Sequence, residues 1–133
     1  MKALNFKPNI DLASLILRVS LGGMFFLHGI GKPFVVGMEK VTLGFIEKGF
    51  PEWTAYFSSV IEILGGLMLV LGLYTRLGSL LLIPITIGIL VYHFPNGWVF
   101  HNSGGGWEYP QLMLISLIVT FFLGSGKYGI KKF

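Results

Sequence analysis

Four long apolar stretches separated by short polar segments dominate the chain, at residues 12–30, 53–74, 77–94 and 109–123. An α-helix needs roughly 20 apolar residues to cross a hydrocarbon core of about 30 Å, so the pattern predicts an all-α fold with four transmembrane helices. The fourth stretch is the shortest and is expected to continue past Gly124 toward Tyr128. Only a few residues around Thr75 and Arg76 join the second and third stretches, which makes these antiparallel neighbours and an up-down-up-down bundle the default topology. Trp53, Tyr74, Trp98, Trp107 and Tyr109 lie near the predicted ends, where amphipathic rings favour the membrane interface. Between the first two spans, residues 38–50 mix Val41, Leu43, Phe45, Ile46 and Phe50 with Glu39, Lys40, Glu47 and Lys48. This reads as a short amphipathic segment on the membrane face, ended by Gly49 and Pro51. No linker or low-complexity stretch divides the chain, so residues 1–133 are assigned to one domain.

Composition agrees with a membrane protein: 53% of the 133 residues are hydrophobic, 12% are charged, and the mean hydropathy is +0.75. A water-soluble domain of this size needs more charge to cover its surface. The net charge of +4 is not gathered into a basic stripe with interleaved aromatics, which argues against nucleic acid as a partner and for the lipid bilayer. An even number of spans puts both termini on one side. That side holds Lys2, Lys7, Arg76, Lys127, Lys131 and Lys132, against Lys32, Lys40 and Lys48 on the other, so the termini are expected in the cytoplasm. The first stretch carries Arg18 and lacks a clear small-residue cleavage site, so it reads as a retained span rather than a signal peptide. There is no cysteine, which removes thiolate nucleophiles and thiolate metal sites; redox chemistry must come from a cofactor or partner.

Charged groups inside a span are costly and usually face the bundle interior. Arg18 shares a helical face with Gly22, Phe25, Gly29 and Lys32, and Glu62 shares one with Ser58, Ser59, Gly65, Gly66 and Leu69. Glycines on both faces permit close backbone approach, so the two faces are expected to meet. From the rise per residue, Arg18 and Glu62 differ in depth by about 8 Å, within reach of a long side chain, and they form the expected polar core pair. Ser79, Thr86, Leu90 and His93 fall on one stripe, as do Ser116, Thr120 and Gly124; both read as helix-packing surfaces.

His28 and His93 lie at similar depth near the outer ends of their spans, with Lys32 one turn beyond His28. The second outer loop adds His101 and Glu108, so a polar cavity opening outward is expected from these five residues. It suits a proton relay or hydrogen bonds to a quinone-like carbonyl, with hydrogen-bonded interfacial histidines as the plainer alternative. The histidines lack the tight spacing of a metal motif, and no metal is assigned. Residues 102–108 are Gly-rich, but without a preceding strand or a following Lys-Ser/Thr they are not a phosphate loop; they read as a flexible lid.

Taken together these pieces resemble the DoxX family of small bacterial membrane proteins. The matching residues are Leu17-Arg18, His28-Gly29-x-Gly31-Lys32, Glu62-x-x-Gly65-Gly66, Gly72-Leu73-x-Thr75-Arg76, His93 and Gly105-Gly106-Trp107-Glu108-Tyr109, in this order over nearly the whole chain. The resemblance implies a multi-pass protein of the bacterial plasma (inner) membrane with a redox connection. Some members are similar to a small subunit of a thiosulfate:quinone oxidoreductase, and others are linked to an oxidoreductase complex for oxidative-stress resistance. The expectation is a subunit or partner of a quinone-linked redox system, with no intrinsic cofactor, quinone as ligand, and a partner oxidoreductase. A proton-coupled or small-solute transporter and a membrane scaffold for a partner enzyme stay open, as does a homo-oligomer.

Overall fold

The computed structural model describes residues 6–130, which leaves Lys2, Lys131 and Lys132 outside the described residues. Helix α1 (Ile10–Gly31) starts where the Asn9 side chain accepts a hydrogen bond from Leu12 N at 3.0 Å, and it continues through a π-helical turn, Lys32–Val36. The short helix α2 (Met38–Glu47) follows, within the segment whose apolar and charged residues alternate. Helix α3 (Glu52–Leu71) begins after Pro51. It ends at Gly72, whose φ of 67° lets Leu73 N bond back to Met68 O and Gly72 N to Leu69 O. Helix α4 (Thr75–His93) passes through Pro84 into a 3-10 turn, Phe94–Asn96. Helix α5 (Glu108–Leu123) is the last element, and no β-strand occurs among the described residues.

Three helical stretches, Ile10–Val36, Glu52–Leu71 and Thr75–Asn96, are long and apolar enough to cross a membrane; α5 is apolar but has 16 residues. The expected extension of the fourth stretch toward Tyr128 does not occur. Gly124 takes φ 71° and Gly126 φ 69°, values that end the helix. The tail then folds back over the helix ends. Lys127 N bonds Asp11 Oδ1, Ser125 Oγ bonds Thr75 Oγ1, and Ile130 N bonds Leu71 O, so it fastens α1, α3 and α4 together. Ser14 Oγ adds a bond to Gly124 O at 2.6 Å.

The packing is inverted relative to a water-soluble protein. Ser14, Arg18, Ser59, Glu62, Thr75, Ser79, Thr86 and Thr120 are buried, while Ile16, Val19, Leu27, Val60, Leu64, Leu80, Ile87, Val91, Leu112, Ile118 and Phe122 are exposed. So many large apolar side chains around one fold are stable only against lipid. Some buried hydroxyls find backbone partners within their own helices, as Thr86 does with Leu82 O and Thr120 with Ser116 O, and others bond across helices, as Ser14 does.

Helices α1 and α3 make the tightest crossing, and they run antiparallel. Gly22 meets Gly66 and Val70, while Gly29 meets Ser59 and Ile63. A Cβ at Gly66 would stand 2.6 Å from Phe26 N and 2.7 Å from Gly22 O, so the two backbones touch. Ser59 Oγ seals the contact with a 2.6 Å bond to Gly29 O. Helix α4 packs on α3 and α5 packs on α4, with smaller contact between α5 and α1.

Gly66→Leu is expected to cost at least about 3 kcal/mol, the upper end of overpacking penalties, because the obstructing atoms are backbone. Gly23→Ala, with open space around its Cβ, is expected to be neutral or slightly stabilising. Thermal unfolding of the two variants in one detergent checks this; equal transitions would remove the helix crossing from the account.

Candidate functional site

At the end of the bundle opposite the tail, α1, α2, α3, α4 and α5 diverge around a half-open cavity of ≈ 320 Å³. His28 and Lys32 come from the end of α1, Phe45 from α2, and Phe50 from the turn after it. Trp53, Phe57, Ser58 and Glu62 come from one face of α3; Ile85, Gly88, Tyr92 and His93 come from α4, and Tyr109 and Met113 from α5. The wall is mostly aromatic and aliphatic, with polar groups collected in two pairs.

The first pair joins α1 to α3. Lys32 Nζ lies 2.7 Å from Glu62 Oε1 and 3.1 Å from Ser58 Oγ, one turn above Glu62. Glu62 is 1% exposed and the Lys32 side chain 17%, so the ion pair is largely shielded from solvent. Ser58 donates its own hydrogen to Ala55 O, which leaves its oxygen free to accept from Lys32. The same ammonium stands 5.7 Å from the centre of the Phe45 ring, so α2 closes over the pair.

The second pair joins α4 to α5. His93 Nδ1 faces Gly105 O at 3.2 Å and His93 Nε2 faces Tyr109 Oη at 2.8 Å. A carbonyl only accepts, so Nδ1 carries the hydrogen, and Nε2 of the neutral ring accepts from the Tyr109 hydroxyl. Asn96 Nδ2 donates to the same Gly105 carbonyl at 2.9 Å. The Gly-rich segment is therefore a clamp on His93 rather than the expected lid, and none of residues 102–108 lines the cavity. It is itself anchored by Trp107 N to Gly97 O, Glu108 N to Trp98 O, and edge-on contact of the Trp98 and Trp107 rings at 4.4 Å.

The expected pair of Arg18 and Glu62 is not formed. Arg18, fully buried, donates from Nη1 to Leu69 O at 2.9 Å and to Val70 O at 3.4 Å. Past the Gly72 stop the carbonyls of the last turn of α3 lack their usual i+4 donors, Leu69 O sharing itself between Gly72 N and Arg18, and a cation there also meets the negative end of the helix dipole. Glu62 lies seven residues earlier, about 10 Å up the helix at the usual rise, and takes Lys32 instead. Of the five residues expected around the cavity, His28, Lys32 and His93 line it, with His28 exposed at its rim. His101 and Glu108 do not: His101 is exposed beside Phe100, and Glu108 occupies the first turn of α5, where its charge suits the helix N-terminus. Among the described residues no three His, Asp or Glu side chains are grouped as metal ligands would be.

Tyr109 and Tyr92 were not foreseen as site residues. Tyr109 follows Glu108 at the start of α5 and reads from the sequence as an interfacial aromatic; only its seat opposite His93 reveals the hydrogen bond. Tyr92 stacks with Phe50 and Phe45, tying α2 to the end of α4.

A model of the DoxX family matches residues 13–102. The chain is 35% identical to the Bacillus subtilis (strain 168) protein named "Putative oxidoreductase CatD" over 125 residues, covering 94% of this chain and 89% of that one. It is also 32% identical over 112 residues to an uncharacterised Haemophilus influenzae protein, covering 83% of this chain and 80% of that one. No solved structure gives a significant match.

Lys32→Ala leaves the buried Glu62 without its cation and is expected to destabilise the protein by about 3–5 kcal/mol, whereas Lys32→Ala combined with Glu62→Ala recovers part of that loss. The unfolding transitions of both variants decide the matter. A single variant as stable as the parent would mean that the ion pair does not hold α1 to α3.

Proposed function

The chain belongs to the DoxX family, and we propose that it is a subunit or partner of a quinone-linked redox system in the bacterial inner membrane, binding a quinone-type ring in the cavity between its helix ends. The observation that carries this reading is the cavity itself, with its volume of ≈ 320 Å³ and its walls of Phe, Trp and Tyr interrupted by Lys32–Glu62 and His93–Tyr109. Ligand sites typically join an apolar surface to a few placed polar groups, and this volume is at the small end of their range. A single substituted ring suits it better than a large polar solute. In this reading the half-open side is where an apolar ring would enter.

Reduction of a quinone takes two electrons and two protons. With no cysteine the chain has no thiol couple of its own, so in this reading the electrons come from a partner oxidoreductase. The two polar pairs are the groups able to exchange protons with the ring, a role suited above all to His93 with its phenolic neighbour. The printed name of the Bacillus subtilis relative supports the redox context.

In this reading the chain crosses the membrane four times with both termini in the cytoplasm. The fourth crossing is α5, whose 16 residues reach about 24 Å, short of the hydrocarbon thickness by an amount that local thinning accommodates. Its exposed Leu112, Ile115, Ile118, Val119 and Phe122 support a lipid-facing side. Lys7, Arg76 and Lys127 stand at the tail end, and Lys2, Lys131 and Lys132 lie outside the described residues. At the cavity end Lys32 is held by Glu62, which leaves Lys40 and Lys48, so the basic residues favour the tail end inside.

Purified protein in lipid nanodiscs is expected to bind duroquinone saturably, read as quenching of tryptophan fluorescence against empty nanodiscs and reporting through Trp53 in the cavity wall. His93→Ala is expected to weaken binding by about tenfold. No binding at saturating ring concentration, or binding unchanged in both His28→Ala and His93→Ala, overturns the proposal.

A further inference from the structure

One buried acceptor in the cavity wall has no donor among the described residues. Glu62 Oε1 is taken by Lys32, but Glu62 Oε2 is buried and has no partner among the described residues. Lys32 Nζ has three hydrogens and spends two on Glu62 and Ser58, leaving one. The Tyr109 hydrogen is committed to His93 Nε2, because the Gly105 carbonyl fixes the hydrogen of the neutral ring on Nδ1; the Tyr109 oxygen then has lone pairs to offer but no hydrogen. Away from the rim, where His28 is exposed, Glu62 Oε2 is the buried side-chain oxygen of the wall that has no partner among the described residues, while Lys32 and the Tyr92 hydroxyl each have a hydrogen to offer. The remaining buried polar atoms without partners, Arg18 Nε and Nη2 and Ser79 Oγ, belong to residues outside the wall.

A ring bearing carbonyls brings only acceptors. It can take the last hydrogen of Lys32, but it leaves the buried Oε2 without a donor, and an unsatisfied buried acceptor is costly. A ring bearing hydroxyls satisfies that acceptor: its O–H donates to Oε2 while its own oxygen accepts from Lys32. We infer that the cavity is selective for the reduced, hydroxyl-bearing form of the ring, a hydroquinone or related phenol, with the ring hydroxyl donating to Glu62 Oε2. This rests on the proposal that a quinone-type ring occupies the cavity, and it deepens that proposal by naming the oxidation state held. Ser58 becomes a positioning residue, since it holds the Lys32 ammonium that occupies Oε1 and leaves the other oxygen for the ligand.

The distinction is measurable on the unmodified protein with three ligands of one ring: duroquinone, durohydroquinone, and the dimethyl ether of durohydroquinone, which keeps the shape and loses both hydrogens. Every ring position is substituted, so addition of protein nucleophiles to the quinone is blocked. Under anaerobic conditions in nanodiscs, durohydroquinone is expected to bind about tenfold more tightly than either of the others, the difference made by one hydrogen bond to a charged acceptor. Glu62→Gln, with Lys32→Met to remove the orphaned cation, is expected to abolish the preference, so that all three ligands bind within about threefold of one another. Equal affinity of the hydroquinone and its dimethyl ether, or tighter binding of the oxidised ring, overturns the selectivity while leaving a ring site in place. Failure of all three ligands to bind overturns the proposed function instead. The comparison among ligands on the parent protein stands even if the double variant does not fold.

Discussion

Contact between the backbones of α1 and α3 is the constraint on which the rest of the molecule depends. Lipid supplies no hydrophobic drive for one apolar helix to leave it for another, so association in the membrane rests on close packing and polar links. Gly22 and Gly66 bring the chains together where any side chain would collide with main-chain atoms, and Gly29 repeats the device nearer the cavity. That approach puts Lys32 within 2.7 Å of Glu62 and places Arg18 under the last carbonyls of α3. With wider separation, two charges would be left in the bundle without partners.

The two ends of the bundle solve different problems. At one end, Gly72 and Gly124 stop their helices, and the tail from Ser125 to Ile130 ties the ends by hydrogen bonds. At the other, the helices separate and the gap is walled by side chains from all five, with α2 held across it by stacking of Phe45 and Phe50 on Tyr92. The inside-out distribution of residues follows from the same physics: backbone and hydroxyl groups are satisfied internally because the solvent outside offers them nothing.

Much of this is legible in the sequence because it is periodic. The helices begin and end within a few residues of the apolar stretches, and the glycine stripes on α1 and α3 point to the face where they meet. The polar partners are less legible, since they depend on where helices stop. Arg18 and Glu62 look complementary at 1.5 Å per residue, but the competing partner of Arg18 is a set of main-chain carbonyls exposed by Gly72, and carbonyls have no letter in the sequence. His101 and Glu108 look like site residues through their chemistry; the path of the loop, set by Gly97, Gly105 and the two tryptophans, carries them elsewhere. Tyr109 reads as an ordinary interfacial ring until its hydroxyl is seen against His93.

The tail bonded across one end of the helices has a mechanical consequence. A bundle stitched at one end and spread at the other is stiff like the closed end of tweezers, and its softest motion is a change in the gap between the tips. Under the proposed function, a ring that fills the gap would splay α2 and the α4–α5 loop, the surfaces at that end of the bundle. Occupancy would then alter the outline of that end of the bundle, the part of the molecule that the proposed partner oxidoreductase would meet.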